Sequence, residues 1–180
     1  EIFMMESNQA LIDNIKFQFD ISKKLLEYHL DSLSQDEYLW RSPNCGLYIQ
    51  KINGNWYANF PEHENYELGT PSVAWTLWHI TFWWKMVFNH SFGNGTLTKE
   101  DIDVYENVES VKISINSLIE RWQEKLDSVT EEELYSKSYS EFPFNNTVEF
   151  HKLAAWLNLE LMKNASEIGY VRFEYASYRN

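Results

Sequence analysis

From Asn8 to Leu33 the apolar residues Leu11, Ile12, Ile15, Phe19, Leu26 and Leu33 recur at spacings that build one face of a long amphipathic helix. Ser34 and Glu37 form a capping box that opens a short helical turn through Trp40, and Pro43 stops it. The pattern then changes: Leu47 to Ile52 and Asn55 to Ala58 are rich in β-branched and aromatic residues and flank Asn53-Gly54, the strongest short-range hairpin signal. Pro61 to Gly69, which carries His63, reads as a polar surface loop. The next segment, Pro71 to His90, is apolar on most of its circumference, which predicts a helix in the middle of a bundle or against a partner subunit.

Thr96 to Asn107 has no clear period and is expected to be an exposed linker. Val108, Val111, Ile115, Leu118, Trp122 and Leu126 then mark a third long helix with a single buried stripe. Thr130 and Glu133 form a second capping box, Glu141 to Phe144 reads as a loop, and a last helix runs from Thr147 to about Tyr178. The fold class is therefore all-α: a four-helix bundle with short extra helices and a small β-hairpin excursion between helices 1 and 2, in a single domain spanning 1–180.

Charge and cysteine content narrow the function. Fifteen basic against 27 acidic side chains give a net charge of −12, which speaks against a nucleic-acid surface built on phosphate neutralisation. A single cysteine, Cys45, forms no intrachain disulfide and fits a reducing cytoplasm. The opening residues lack a basic stretch and an apolar core of the export type, and Met4 or Met5 reads as the initiator. The most apolar window, Val73 to Phe88, contains His79 and Lys85 and is shorter than the roughly 20 residues a bilayer span needs, so no membrane partner is expected. The sequons at Asn89, Asn94, Asn145 and Asn164 would matter only in a secreted chain.

The informative residues are polar ones at apolar positions. With Glu160 at 0° on a wheel of about 100° per residue, Leu153, Leu157, Ile168 and Val171 define the core sector, and Asn164 and Glu167 fall inside or beside it. Burying a carboxylate without partners costs several kcal/mol, so the fold must supply donors, a cation or a wet cavity. His79 has Trp75, Phe82 and Trp83 as helical neighbours and poses the same problem. If the second and fourth long helices face each other, His79, Glu160 and Asn164 converge on one metal ion. The residues leave alternatives open: a core histidine bonded to a carbonyl, Glu160 and Glu167 paired with Lys163, Arg172 or a histidine, and Asn164 bonded across the helix interface. His151 faces away, and His90 is too far along its helix to share an ion with His79.

Pro71-Ser72-Val73-Ala74-Trp75-Thr76-Leu77-Trp78-His79-Ile80 resembles the second-helix signature of the DinB-like superfamily of metal-binding four-helix bundles. Gly54-Asn55-Trp56 upstream and Ala155 to Gly169 downstream are similar to one branch of it, and the likeness runs from the first helix to the last. It implies a divalent metal, usually zinc or nickel, held by one histidine of the second helix and a His-x-x-x-His pair on the last. His79 matches the first ligand; Glu160 and Asn164 stand where the pair would be. A carboxylate and an amide make the site harder and less selective for zinc or nickel, so the ion is expected to be weakly held, different or absent. Glu167, Trp75 and Trp83 would then surround the ligands or line the pocket.

The resemblance further implies a cytoplasmic, dimeric, metal-dependent enzyme acting on a small molecule, in which the metal activates a thiol or water, as in thiol-dependent S-transferases and hydrolase-like relatives. It implies no DNA-acting role, although the superfamily takes its name from a damage-inducible gene of the stress response. The rival expectation is a non-catalytic or metal-free member with a polar small-molecule pocket. A third is an oligomer-forming role for the tryptophan-rich helix through Trp84 and Phe88.

Overall fold

The computed structural model describes residues 2–63 and 65–179, residues 2–7 through their backbone only, so the side chains behind the Met4 or Met5 initiator reading lie outside the described residues. Four long helices, α1 (Ile2–Asp31), α3 (Val73–Phe92), α4 (Val108–Ser128) and α7 (Phe150–Arg179), make the bundle. Three short helices, α2 (Gln35–Leu39), α5 (Glu131–Tyr135) and α6 (Glu141–Phe144), and the antiparallel hairpin β1 (Ile49–Ile52) and β2 (Asn55–Ala58) fill the connections. The class is all-α, as the periodicity predicts. No helix of the described residues is long and apolar enough to cross a membrane.

Contacts across the seams fix the direction of each helix. Along α1 and α7 partners advance together: Ile15 meets Asn158, and His29 and Ser32 meet Arg172. Along α3 and α4 they also advance together, from Trp84 on Trp122 to Phe92 under Lys125. Across the bundle the order reverses, since Lys16 pairs with Asp127 whereas Gln35 caps Val108. The topology is up-down-down-up, and the parallel step from α3 to α4 is made by the crossover over residues 93–107.

Local signals produce the expected elements. Both capping boxes form, at Ser34 with Glu37 and at Thr130 with Glu133, satisfying backbone groups that a five-residue helix would otherwise leave orphaned. Asn53 and Gly54 both take positive φ, 51° and 87°, which is what a two-residue turn of this twist requires. Gly169 is set by packing: a Cβ there would stand 2.5 Å from the His29 ring, so the glycine lets α7 close onto α1.

Three expectations need correction. Thr96 to Asn107 is not wholly exposed, because Ile102 is buried against Trp78, Phe82 and Met86 and anchors the crossover to α3. Glu141 to Phe144 is a short helical turn rather than a plain loop, with a cis peptide before Pro143. Trp84 and Phe88 do not offer a face to a partner: both are buried, Trp84 against Phe19 and Trp122, because the apolar circumference of α3 is spent inside its own bundle.

At the bundle centre the amide of Asn158 has a partner for its oxygen and for its nitrogen. Asn158 accepts from Trp122 Nε1 at 3.1 Å and donates to the Ile15 carbonyl at 2.9 Å, tying α4, α7 and α1 together in a fully buried position. Replacing it leaves a buried indole N–H and a carbonyl without partners. Asn158→Ala is expected to cost about 2–4 kcal/mol in urea unfolding, more than an ordinary surface substitution.

Candidate functional site

α3 begins at Ser72, whose side chain accepts from the Trp75 amide, and its N-terminal half is held against the hairpin tail by the Trp75 indole donating to the Asn59 carbonyl. These two bonds fix the rotation of α3 that turns His79 toward α7. Opposite, α7 runs antiparallel to α3: Trp83 packs edge-on against Trp156 at 5.1 Å, and further along Trp75 and His79 share a cavity with Lys163 and Glu167. Position 79 is thus level with positions 160 to 164.

That cavity has a volume of about 390 Å³. One wall is Trp75 and His79, the other Lys163 and Glu167, and the roof comes from Leu47 and the segment around Tyr66 and Leu68. Trp75 and Glu167 line this cavity. Trp83 does not line it but packs beside His79, among Phe82, Phe142 and Trp156. Its place follows from the helical repeat, because one turn beyond His79 the α3 face meets α6 rather than the roof.

His79 is 5% exposed and ringed by Trp75 at 4.6 Å, Trp83 at 5.5 Å, Phe82 and Phe60. Burial among these rings pushes its pKa down to about 3, with the nearby Lys163 ammonium acting in the same direction, so the imidazole is neutral. Its Nδ1 is buried without a hydrogen-bond partner. Asn164, also buried, leaves its Oδ1 unpartnered. Glu160 lies at the half-buried edge of the same face; its Oε2 is shut off from solvent without a well-directed hydrogen bond, although Lys163 Nζ stands 2.9 Å away as an ion pair. Neither Glu160 nor Asn164 reaches the cavity lining.

Among the described residues no three His, Cys, Asp or Glu side chains are grouped to hold an ion, so Glu167 does not complete a shell with His79 and Glu160. A metal here would draw its third protein donor from the Asn164 amide. A neutral imidazole, a carboxylate and an amide oxygen have the donor chemistry of a divalent-ion site, with the Lys163 ammonium competing for the carboxylate.

A family model described as the DinB superfamily matches residues 18–168. The chain belongs to the DinB superfamily. The match runs from the middle of α1 through the candidate site on α7. No curated protein and no solved structure matches the chain. In this DinB-superfamily chain two site features escape a helical wheel. Lys163 projects from outside the apolar stripe yet folds back to the cavity and to Glu160, a pairing the sequence left open at i,i+3 spacing. Leu47, Tyr66 and Leu68 come from a segment with no periodicity to read.

The depressed His79 pKa carries a sign. Between about pH 6.5 and 3 the unfolded chain binds a proton on this imidazole that the folded chain does not, so chelator-treated protein loses stability as pH falls through that window. Unfolding of wild type and His79→Gln between about pH 7 and 5 should differ in slope by up to about 1.4 kcal/mol per pH unit, the wild type being steeper. Identical slopes would mean that the imidazole is solvated.

Proposed function

We propose that this DinB-superfamily chain binds a divalent metal ion through His79, Glu160 and Asn164 and acts on a small molecule in the adjoining cavity, by transfer to a low-molecular-weight thiol or by hydrolysis. One observation supports the metal: on the two facing helices α3 and α7, His79 Nδ1, Glu160 Oε2 and Asn164 Oδ1 are shut off from solvent without a hydrogen-bond partner, Glu160 being ion-paired to Lys163. Asn158, on the side of α7 that meets α1 and α4, has a partner for its amide oxygen and for its amide nitrogen. Buried acceptors that cost free energy when unmet are characteristic of a site awaiting a ligand.

When bound, a divalent ion in such a site lowers the pKa of a thiol or water beside it. The chain's own residues do the rest. His79, already neutral, gives up no proton in becoming a ligand. The flat face of Trp75 with Leu47 and Leu68 offers an apolar wall for the substrate body, and the Lys163 ammonium places a positive charge at the wall opposite. A cavity of about 390 Å³ suits a metabolite-sized molecule and excludes a folded macromolecule.

A second reading rests on the 2.9 Å pair between Lys163 and Glu160, in which the ammonium serves as the cation and the pocket binds its ligand without metal. Titration of chelator-stripped protein with zinc, nickel and manganese separates the two. The metal reading expects about one ion per chain for one of these, at least a hundredfold loss of affinity in His79→Ala, and tighter binding in Lys163→Met, which frees the carboxylate. No uptake by wild type or Lys163→Met, together with lower stability of Lys163→Met, would establish the metal-free pocket.

A further inference from the structure

We infer that a groove between α3, α4 and the crossover joining them binds a small amphipathic acid, a carboxylate or phosphate ester with an apolar body, anchored on Arg121. The groove has a volume of about 610 Å³ and shares no lining residue with the cavity beside His79. Its crossover wall is held in place: Asn89 Oδ1 accepts from the Leu97 amide at 2.9 Å, and the Tyr105 carbonyl accepts from the Tyr38 hydroxyl at 2.7 Å. Small residues keep the space open, Gly93 at the end of α3 and Ser110, Ser114 and Ser117 along α4. On a wheel of about 100° per residue the three serines and Arg121 fall within about 60° of one another, so α4 turns one polar stripe toward the groove.

Charge sets the sign of the ligand. The lining includes two cations, Lys85 and Arg121, and among the described residues no carboxylate, in a chain with 27 acidic and 15 basic side chains. Lys85 is engaged by the exposed Asp103 at 2.9 Å. Arg121 is not engaged: among the described residues it has no ion pair and no hydrogen bond, although Glu120 and Glu124 lie within one turn of it. Its guanidinium carbon instead stands 4.2 Å from the centre of the buried Phe88 ring. That cation–π contact holds the guanidinium while its edge N–H donors stay unspent. Such a fork matches two oxygens of a carboxylate or a phosphate.

The hydroxyls point to the same chemistry. Ser22, Ser91, Ser128, Ser166 and Ser177, the other long-helix serines whose side chains are described, each donate to a main-chain carbonyl. Ser110, Ser114 and Ser117 donate to no group among the described residues, and all three line this groove. Free O–H groups beside a free guanidinium favour a ligand head that only accepts. The body is read from Phe88, Leu97, Tyr105, Ile113 and Leu118, which supply apolar lining. Ile113, at 71% exposed, is a large apolar side chain that the fold leaves uncovered, and a hydrocarbon or aromatic body would cover it. A chain of net charge −12 repels anions at long range, so affinity comes from these short contacts rather than from steering.

Calorimetric titration of the full chain with heptanoate and with hexyl phosphate tests this, with hexanol and inorganic phosphate as probes of the body and the head alone. One acid per chain is expected, at a dissociation constant of about 1 mM or tighter, with hexanol and phosphate at least about tenfold weaker. The tighter of the two acids identifies the head as a carboxylate or a phosphate ester. Arg121→Met, which keeps the stem and removes the fork, should weaken the acid about tenfold or more with unchanged circular dichroism, and Arg121→Lys should recover only part of the loss. Saturation by neither acid up to about 10 mM overturns the proposal, as does hexanol or phosphate binding as tightly as the acids. Full binding in Arg121→Met overturns it too, and a loss confined to Lys163→Met would place the acid in the cavity beside His79 instead.

Discussion

A helix that is apolar on nearly every side cannot rest on a surface, and the enclosure of α3 is the constraint from which the rest of this architecture follows. Trp84 and Phe88 need α1 and α4, and Trp83 needs α6 and α7. Trp75 and Trp78 need the hairpin tail and the crossover bearing Ile102. The long connections are therefore not spacers, since each brings a cover to a face of α3 that the other long helices do not reach. His79 is the one histidine caught inside this enclosure, and its suppressed basicity follows from that burial.

How much of this was legible in the sequence depended on whether a signal was local. The four long helices, both capping boxes and the Asn53-Gly54 turn could be read because helical and turn geometry act within a few residues. The inward placement of Asn164 could be read because the rigid repeat of α7 carries it there. Ile102 could not, because a single anchor in an aperiodic segment declares itself only through its distant partners. Asn158 was missed for a different reason: α7 buries one side against α1 and another against α3, so its polar positions are not confined to one outer face. Lys163 was placed outside the stripe by its Cα direction, while its long side chain returns to the site, a freedom that angular analysis ignores.

Within the candidate site, the contrast between Asn158 and Asn164 carries more than either residue alone. Both are amides buried on α7. One is bonded by an indole and to a carbonyl, and the oxygen of the other has no hydrogen-bond partner. A structural polar network is built for completeness, because an unmet partner in a dry interior is costly. The amide oxygen of Asn164 therefore stands at a cost to stability that Asn158 avoids.

The excursion between α2 and α3 is pinched at its base. Gly46 lies so close to the Thr70 carbonyl, and Gly69 to that of Cys45, that neither position has room for a side chain, and the Ser72 amide bonds back to the Leu47 carbonyl. The segment leaves the bundle and returns through a single narrow gate before α3 starts, and the cavity roof hangs from it. The roof is thereby a module separate from the rods that supply the walls, and its length and residues can vary while the helices beneath stay unaltered.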